Sequence, residues 1–290
     1  MLKRKQLTRR QFLKLALSTG AGAATLAVGG SVYSTLIEPQ WLSIDRVDVP
    51  LARLPRELDG FTIAQLSDLH HGPYIGDDEI RLAVEATNGL QPDVIVLTGD
   101  YVTREADRFG DCARVLGGLQ ARFGVWAVLG NHDHWTDAAT IIRALEAQSI
   151  PVLMNDAVPI DHNGRRLWIA GVDDVWEESC DLDRAVRHVA RDEVTVLLAH
   201  EPDFADEAAR RPIDLQLSGH SHGGQVRIPF YGALILPHLG RKYPIGLARI
   251  EAARVGTMQV YTNRGLGMVS PPVRFNCRPE VTLLTLRSSG

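Results

Sequence analysis

The stretch Phe61-Thr62-Ile63-Ala64-Gln65-Leu66-Ser67-Asp68-Leu69-His70 decides the fold, because an apolar run of strand length ends there in a carboxylate and an imidazole. The same arrangement recurs downstream. Val94–Thr98 ends at Gly99-Asp100, and Val125–Leu129 ends at Gly130-Asn131-His132-Asp133. Amphipathic stretches separate these apolar runs. Strands that alternate with helices in this way predict an α/β protein.

The intervening stretches predict three helices. The first is predicted to begin with Asp77 as its N-terminal cap. The second covers about residues 108–121, and the third follows a Thr136 cap and extends to about Gln148. Each helix therefore falls between, or just after, two of the strands that end in polar residues.

The second half of the chain predicts further strands. Val152–Met154 and Leu167–Ala170 lie on either side of an Asn163-Gly164 turn, which indicates a β-hairpin. Late strands are predicted at Gln225–Ile228, Met258–Thr262 and Val281–Leu286. No internal repeat or low-complexity tract is present.

Two apolar runs of the second half end in histidine. Val194–Ala199 precedes His200, and Leu215–Ser218 precedes Gly219-His220-Ser221-His222-Gly223-Gly224. In open α/β sheets, ligands bind beyond the carboxyl ends of the strands, where loops present functional side chains over a rigid base. We therefore expect the polar residues at these strand ends to form one site.

The residue types at the strand ends are those of a metal site. Asp68-Leu69-His70 places a carboxylate and an imidazole where both can turn toward one ion. Asp100 follows a glycine that permits the close backbone approach a bridging carboxylate needs. Asn131 offers an uncharged amide oxygen, and His132 beside it is placed for proton transfer. His220-Ser221-His222 adds an H-x-H pair, a strong metal signal at a strand end.

Composition and charge limit the classes of function. The chain has 290 residues and a net charge of −4, and residues 1–37 carry six Lys/Arg and no acid. Residues 38–290 therefore carry 25 Lys/Arg against 35 Asp/Glu, a net charge of −10, so nucleic acid is not an expected partner. Three widely spaced cysteines without a C-x-x-C pair predict neither a disulfide framework nor a zinc cage.

The N-terminal residues 1–37 have the layout of an export signal or a membrane anchor. Thr8-Arg9-Arg10-Gln11-Phe12-Leu13-Lys14 resembles the twin-arginine signal, which implies the twin-arginine export machinery as a partner. Leu15–Ile37 contains 23 uncharged residues, enough to span a bilayer as a helix. Ala21-Gly22-Ala23 is a cleavage candidate that lies early in this run. We therefore expect export with retention at the membrane, and a periplasmic or cell-wall location if the signal is cleaved.

The sequence predicts that the chain is divided into three segments. Residues 1–37 are the signal or N-terminal anchor, residues 38–60 are a linker and lead-in strand, and residues 61–290 form the catalytic domain. One globular domain of this size can bury a sizeable core.

The ordered series D-x-H, G-D, G-N-H-D, H and G-H-x-H resembles that of the calcineurin-like metallophosphoesterases. The series spans residues 61 to about 230, and all five parts are intact. The tail segments 261–267 and 272–280 resemble the bacterial envelope branch of that superfamily, whose members are often called phosphodiesterases. The resemblance implies a four-layer α/β/β/α sandwich with two mixed β-sheets and a site at the carboxyl edge of both.

The resemblance also implies a dinuclear metal centre. It implies that one divalent ion is held by Asp68, His70, Asp100 and His222. It implies that a second ion is held by Asp100, Asn131, His200 and His220, so that Asp100 bridges. Oxygen and nitrogen ligands without cysteine suit Mn, with Zn or Fe as alternatives. Such a centre would hydrolyse a phosphoester with an activated water while His132 protonates the leaving group, aided by Asp100 or Asp133.

Two alternative functions remain open from the residues. A hydrolase of lipid- or nucleotide-linked diphosphates, similar to UDP-diacylglucosamine diphosphatase, needs an apolar groove beside the metals, and Leu234-Ile235-Leu236-Pro237 is a candidate lip. A non-catalytic envelope-binding protein with structural metals is the other, although a structural site has no need of His132. The substrate, the preference for monoesters or diesters, the metal and the oligomeric state stay open.

Overall fold

A computed structural model of the chain describes residues 8–10, 14, 19, 25, 27–104 and 109–289. Most of the predicted signal segment therefore lies outside the described residues. The principal helices are α1 Asp77–Gly89, α2 Phe109–Leu116, α3 Asn131–Thr136, α4 Ala138–Glu146, α5 Leu182–Ala185 and α6 Ala205–Ala208. The strands are β1 Ser43–Leu51, β2 Thr62–Leu66, β3 Val94–Thr98, β4 Val125–Val128, β5 Asp156–His162, β6 Arg165–Gly171, β7 Val194–Leu198, β8 Leu215–Ser218, β9 Arg227–Ile228, β10 Gly232–Ala233, β11 Gly246–Ala252, β12 Gly256–Thr262 and β13 Glu280–Ser288.

The principal strands form two mixed sheets. The first sheet has the order β1-β13-β2-β3-β4, and only the β13–β2 pair is antiparallel. The second has the order β11-β12-β8-β7-β6-β5, with antiparallel pairs at its two edges and three parallel pairs between them. Strands β9 and β10 form a separate two-stranded ribbon.

Three apolar cores define four layers. The central core lies between the sheets and includes Ile63, Val96, Ile169 and Leu217, all buried. An outer core joins the first sheet to α1, α2 and α4, and another joins the second sheet to α5 and α6. The predicted α/β/β/α sandwich with two mixed sheets is confirmed. The inner strands β3, β7 and β8 are buried at every residue because each sheet is covered on both sides.

The segment predicted as linker and lead-in strand contributes directly to the first sheet. Strand β1 pairs in parallel with β13 along nine residues and forms an edge of that sheet. Glu38, which precedes it, is fully buried and accepts hydrogen bonds from the backbone N–H groups of Asn276 and Cys277. The chain is thus fixed to the domain from Glu38 onward.

Several predicted element positions were wrong. The Asn163-Gly164 turn exists, but it joins β5 to β6, while Val152 makes only an isolated bridge to Ala127. The strand partner is instead the more polar Asp156–His162, which alternates because one face is exposed. The sequence favoured Val152–Met154 because that run is more apolar.

The helix caps also differ from prediction. Gly76, not Asp77, caps α1, and Asp77 is its first residue. Asp137, not Thr136, caps α4, because residues from Asn131 onward already form the short helix α3. In the described part of the N-terminal region and the domain, no helix combines the length and the apolarity needed to cross a bilayer.

Candidate metal centre

The polar motifs of both sheets meet at one edge of the sandwich. Asp68, Asp100 and Asn131 follow β2, β3 and β4 of the first sheet, whereas His200 and His220 follow β7 and β8 of the second. The carboxyl ends of these five strands converge, so side chains distant in sequence become neighbours. All seven predicted metal ligands are buried: Asp68, His70, Asp100, Asn131, His200, His220 and His222.

Five of these residues have left-handed backbone conformations. The φ angles are 49° at Asp68, 45° at His70, 57° at Asp100, 66° at His220 and 51° at His222. Side chains other than glycine rarely adopt such angles, and each costs of order 1–3 kcal/mol. Contacts with the surrounding structure must therefore stabilise these turns, which direct the ligand side chains of each loop toward the same site.

Backbone hydrogen bonds hold the strained loops together. Asp68 donates its N–H to Gly99 O at 2.9 Å, and His70 donates its own to Asp100 O at 3.0 Å. The N–H of His220 donates to Asp68 Oδ1 at 2.9 Å, which joins a loop of the second sheet to one of the first. The two halves of the site are therefore fixed to each other before any ligand binds.

Two glycines permit the loops to approach so closely. A Cβ on Gly219 would lie inside contact distance of Ser67 Oγ and Asp68 Oδ2. A Cβ on Gly130 would collide with the Asp100 side chain and come within 2.8 Å of His200 Cε1. Glycine is therefore required at both positions by the packing of one ligand loop on another.

The first ligand group contains Asp68, His70 and His222. His70 Nε2 lies 3.0 Å from His222 Nε2, and His222 Nε2 lies 3.4 Å from Asp68 Oδ1. Asp100 adds Oδ2 at 3.5 Å from His70 Nε2. Two imidazole nitrogens that face each other beside two carboxylates form a set of donors for a cation.

The second ligand group contains Asp100, His200 and His220. His200 Nε2 lies 3.2 Å from Asp100 Oδ2, and the ligand atoms of this group lie within 4.8 Å of one another. His200 Nδ1 faces Thr98 O at 2.6 Å, so Nε2 is the ring nitrogen directed toward the site. Asp100 thus lies beside both histidine groups, as a bridging carboxylate would.

His132 and Asn131 occupy the cleft side of these groups. His132 lies in a further cluster with His70 and Asp100, and its Nδ1 is 3.3 Å from Thr103 O. Its N–H donates to Asp100 Oδ1 at 2.9 Å. Asn131 is buried and lines the cleft.

Asp133 does not take the role that the sequence suggested for it. Its carboxylate accepts hydrogen bonds from the backbone N–H groups of Gly130, Asp100 and Tyr101 at 2.8–2.9 Å. These bonds hold two ligand loops together. Asp133 therefore positions the backbone, and the hydrogen bonds of its carboxylate among the described residues go to backbone N–H groups and not to the His132 ring.

Burial controls the protonation of the site. It lowers the pKa of His70 to about 3 and of His220 to about 4, so both imidazoles are neutral near pH 7. Burial also raises the pKa of Asp68 to about 7, a shift that His200 opposes and the like charge of Asp100 reinforces. The pKa of His200 lies well above its usual value because the carboxylates of Asp100 and Asp68 outweigh the effect of its burial.

The donor set fits divalent cations. Neutral imidazoles are the form that binds metal, and cations would relieve the repulsion between the Asp68 and Asp100 carboxylates. Asn131 Oδ1 is buried and has no hydrogen-bond partner among the described residues. A buried oxygen without a partner is costly unless a ligand satisfies it. These residues can therefore hold divalent metal ions.

The metal groups form one end of a cleft of about 470 Å³. Its lining also includes two aromatic residues that the sequence analysis missed, Trp135 and Trp176, whose rings meet edge to face at 5.5 Å. The His132 ring lies 4.9 Å from that of Trp135, and the His220 ring lies 5.6 Å from that of Trp176. No spacing rule predicts these tryptophans, because Trp135 belongs to helix α3 and Trp176 to a loop 41 residues further along the chain.

The fold and the site together define a metal-dependent hydrolase of phosphoester bonds, and comparison with known proteins gives the family. Residues 61–224 match the family described as calcineurin-like phosphoesterase. The chain belongs to this family. It is a metallophosphoesterase, and the predicted superfamily is confirmed.

Two curated relatives match the chain over nearly its full length. The uncharacterized metallophosphoesterase YkuE of Bacillus subtilis (strain 168) is 34% identical over 99% of this chain and 100% of its own length. The phosphodiesterase YaeI of Escherichia coli (strain K12) is 34% identical over 97% of this chain and 99% of its own. Among solved structures, a 5'-nucleotidase precursor from Thermus thermophilus has a TM-score of 0.50 at 13% identity, covering 78% of this chain and 54% of that one. That likeness shows the fold alone.

Proposed function

We propose that this protein is a phosphodiesterase of the cell envelope that uses a dinuclear metal centre. The observation that carries the proposal is the convergence of two histidine groups on the single carboxylate of Asp100. Asp68, His70, Asp100 and His222 would hold one ion, and Asp100, Asn131, His200 and His220 the other. Mn is our first choice of metal, with Zn or Fe as alternatives, because the ligands are oxygen and nitrogen.

Bound ions would supply Lewis-acid stabilisation of the phosphate oxygens and lower the pKa of a water. The protein's own residues orient the substrate and move the proton. His132 lines the cleft with one ring nitrogen turned toward Thr103 O, so the other can donate to the leaving oxygen. The hydrogen bond that His132 N–H donates to Asp100 Oδ1 holds this residue beside the two ligand groups.

The cleft favours a diester over a monoester. Among the described residues that line it, none is Lys or Arg, so the second charge of a monoester would lack a fixed cationic partner. Apolar walls can accept the second substituent that a diester carries. The similarity to the phosphodiesterase of Escherichia coli supports the same choice.

An assay with paired substrates tests this proposal. Purified protein loaded with Mn should hydrolyse bis-p-nitrophenyl phosphate with a kcat/KM at least about tenfold above that for p-nitrophenyl phosphate, or ~1.4 kcal/mol in the transition state. Zn- and Fe-loaded samples measured in parallel identify the metal. Faster hydrolysis of the monoester would contradict the diester assignment but not the family.

A second candidate is a hydrolase of lipid- or nucleotide-linked diphosphates. The predicted lip residues Leu234, Ile235 and Pro237 line the cleft beside the metal ligands, which supports this candidate. Release of a phosphomonoester from a UDP-linked glycolipid, with no turnover of simple diesters, would favour it over the phosphodiesterase.

We propose further that the twin-arginine machinery exports the chain and that the N-terminal segment retains it on the outer side of the cytoplasmic membrane. The Arg9-Arg10 pair and the uncharged run that follows support this location. Arg9→Lys with Arg10→Lys should stop export, whereas Arg56→Lys with Arg81→Lys, two exposed residues outside the signal, should not. Cell fractionation decides, and undiminished export of the first double variant would refute the route.

A further inference from the structure

Residues 227–235 form a protrusion, here named the apolar hairpin, that leaves large apolar side chains in solvent. Phe230 is fully exposed, and Tyr231 and Ile235 are exposed by 75% and 79%. Leu234 is exposed by 54%. A soluble protein rarely keeps such a cluster exposed unless it binds something apolar. Phe230 also has a φ of 66°, which turns the tip outward at a cost in strain.

The apolar hairpin is joined directly to the metal centre. Its base packs on Gly224, where a Cβ would collide with Ala233, and Gly224 lies two residues after His222. Leu234 donates its N–H to Val226 O at 3.2 Å, which closes the hairpin. Leu234 and Ile235 line the cleft, so one continuous apolar surface leads from the exposed tip to the ligands.

The opposite wall of the cleft is also apolar. Val269, Pro271 and Val273 line it together with Val226 at the base of the hairpin. The Gln225 side chain, which also lines the cleft, donates hydrogen bonds to the carbonyls of Val269, Pro271 and Val273. The cleft therefore fits an amphiphile whose phosphate lies at the metals and whose chain lies between these walls.

The apolar hairpin lies beside the exit point of the N-terminal segment. Val226 forms a bridge with Phe275, whose ring contacts that of Tyr33 at a centroid distance of 6.2 Å. The N–H of Arg274 donates to Ser34 O at 2.9 Å. The uncharged run Leu15–Ile37 thus ends against the segment that supports the hairpin. Tyr33 and Ser34, at the described end of this run, therefore lie close to the apolar hairpin.

The charge of the surrounding chain suits an anionic membrane. Residues 215–279 contain eight Lys/Arg and one acid, Glu251. Arg274 is buried, and Arg264 and Lys242 form ion pairs with acids outside this segment, which leaves Arg241, Arg249 and Arg254 as exposed cations. Arg227 lies within the hairpin, and Arg241 with Lys242 follows it. Basic residues beside exposed aromatic and aliphatic side chains are the composition of surfaces that bind anionic lipid.

We infer that the apolar hairpin inserts into a lipid bilayer and that the apolar part of the cleft is a subsite for an acyl chain. The substrate class is then a phosphoester lipid, taken from the membrane and cleaved at the metal end. This inference rests on the proposed phosphoester hydrolysis, but its tests fail separately from it.

The first test measures the chain subsite with monomeric substrates. A series of alkyl p-nitrophenyl phosphodiesters, from ethyl to octyl, is assayed with the full-length, Mn-loaded protein below the micelle threshold. KM should fall by up to about fourfold for each methylene that becomes buried. Ile235→Ser should remove most of this dependence, whereas Leu82→Ser, a similarly solvent-exposed change on α1, should retain it.

The second test measures insertion. Phe230→Trp is incorporated into vesicles of phosphatidylglycerol and brominated phosphatidylcholine, and its fluorescence is compared with that of wild type and of Leu82→Trp. The tryptophan at position 230 should be quenched by the brominated lipid, and the one at position 82 should not. Phe230 is absent from the cleft lining, so Phe230→Ser should hydrolyse the soluble ethyl ester normally and lose activity on substrate embedded in vesicles.

The outcomes separate the two proposals. A flat chain-length series with normal turnover of the ethyl ester would refute the lipid subsite and leave the phosphodiesterase intact. Failure to hydrolyse any member would overturn both. Equal quenching at positions 230 and 82 would refute insertion. Insertion would also be refuted if analytical ultracentrifugation showed a dimer that Phe230→Ser dissociates, because the hairpin would then bind a second copy of the chain.

Discussion

The two ends of the cleft are built in opposite ways. At the metal end, five strained ligand residues are buried, and the carboxylates of Asp133 and Asp68 accept backbone N–H hydrogen bonds that tie their loops together. At the other end, the apolar hairpin has few internal bonds and exposes most of its side chains. Metal-dependent chemistry requires rigid placement of its ligands, whereas recognition of an apolar chain does not. Substitutions should therefore reduce turnover at the first end and change apparent affinity at the second.

The largest effect is expected from Asp100→Asn. Asp100 Oδ2 lies near both His70 and His200, so loss of its charge should weaken both metal sites. Turnover should fall by about 10³-fold or more, because several kcal/mol of charge stabilisation depend on the ions. Metal analysis and bis-p-nitrophenyl phosphate kinetics measure this. Asp77→Asn, outside the cleft, is the matched control, and full occupancy of both sites in Asp100→Asn would disprove the bridging role.

His132→Ala should reduce turnover without loss of metal. As a general acid, His132 should contribute about 10²–10⁴-fold with a poor leaving group and much less with p-nitrophenolate, which departs without protonation. Turnover rates with both leaving groups, together with the metal content of the variant, show whether His132 acts as the general acid. His134→Ala, which removes a ring bonded to Asp173, is the control. Lost metal, or an equal fall with both leaving groups, would show that His132 is a ligand or a clamp.

Gly219→Ala tests how tightly the metal end is packed. The added methyl would displace Asp68 or Ser67, so the free energy of unfolding should fall by about 1–3 kcal/mol and metal affinity should drop with it. Gly110→Ala in α2 meets no atom within 4 Å and should raise stability by about 0.5–1 kcal/mol. Chemical denaturation with and without metal compares the two. Equal stability of both variants would mean that the loops can relax.

The smallest effect on stability is expected at the apolar hairpin. Phe230→Ser removes a fully exposed ring, so the free energy of unfolding in buffer should change by less than about 0.5 kcal/mol. Chemical denaturation of the soluble, metal-loaded protein measures it. A loss comparable to that of Gly219→Ala would show that the hairpin is part of the core, and the contrast between the two ends would disappear.

The strands could be predicted where their hydrophobicity is continuous. Val94–Thr98 matches the structure at both ends because a strand buried on both faces is largely apolar, and Leu215–Ser218 also matches although its Gln216 and Ser218 are buried polar residues. Strand β5 was missed because its exposed face makes Asp156–His162 as polar as a loop. Helix α3 was missed because Asn131–Thr136 is too short and too polar to show a helical period.

The sequence by itself determined the α/β class and the strand-end position of every candidate ligand, because apolar runs form strands and loops carry the polar residues. The family and the two-sheet sandwich came from the resemblance of the motif series, not from these local rules. Only the tertiary structure decided that Asp133 supports backbone and that Trp135 and Trp176 line the cleft. It also decided that the apolar hairpin lies beside the N-terminal exit. Such placements depend on contacts between residues far apart in the chain, which no local pattern encodes.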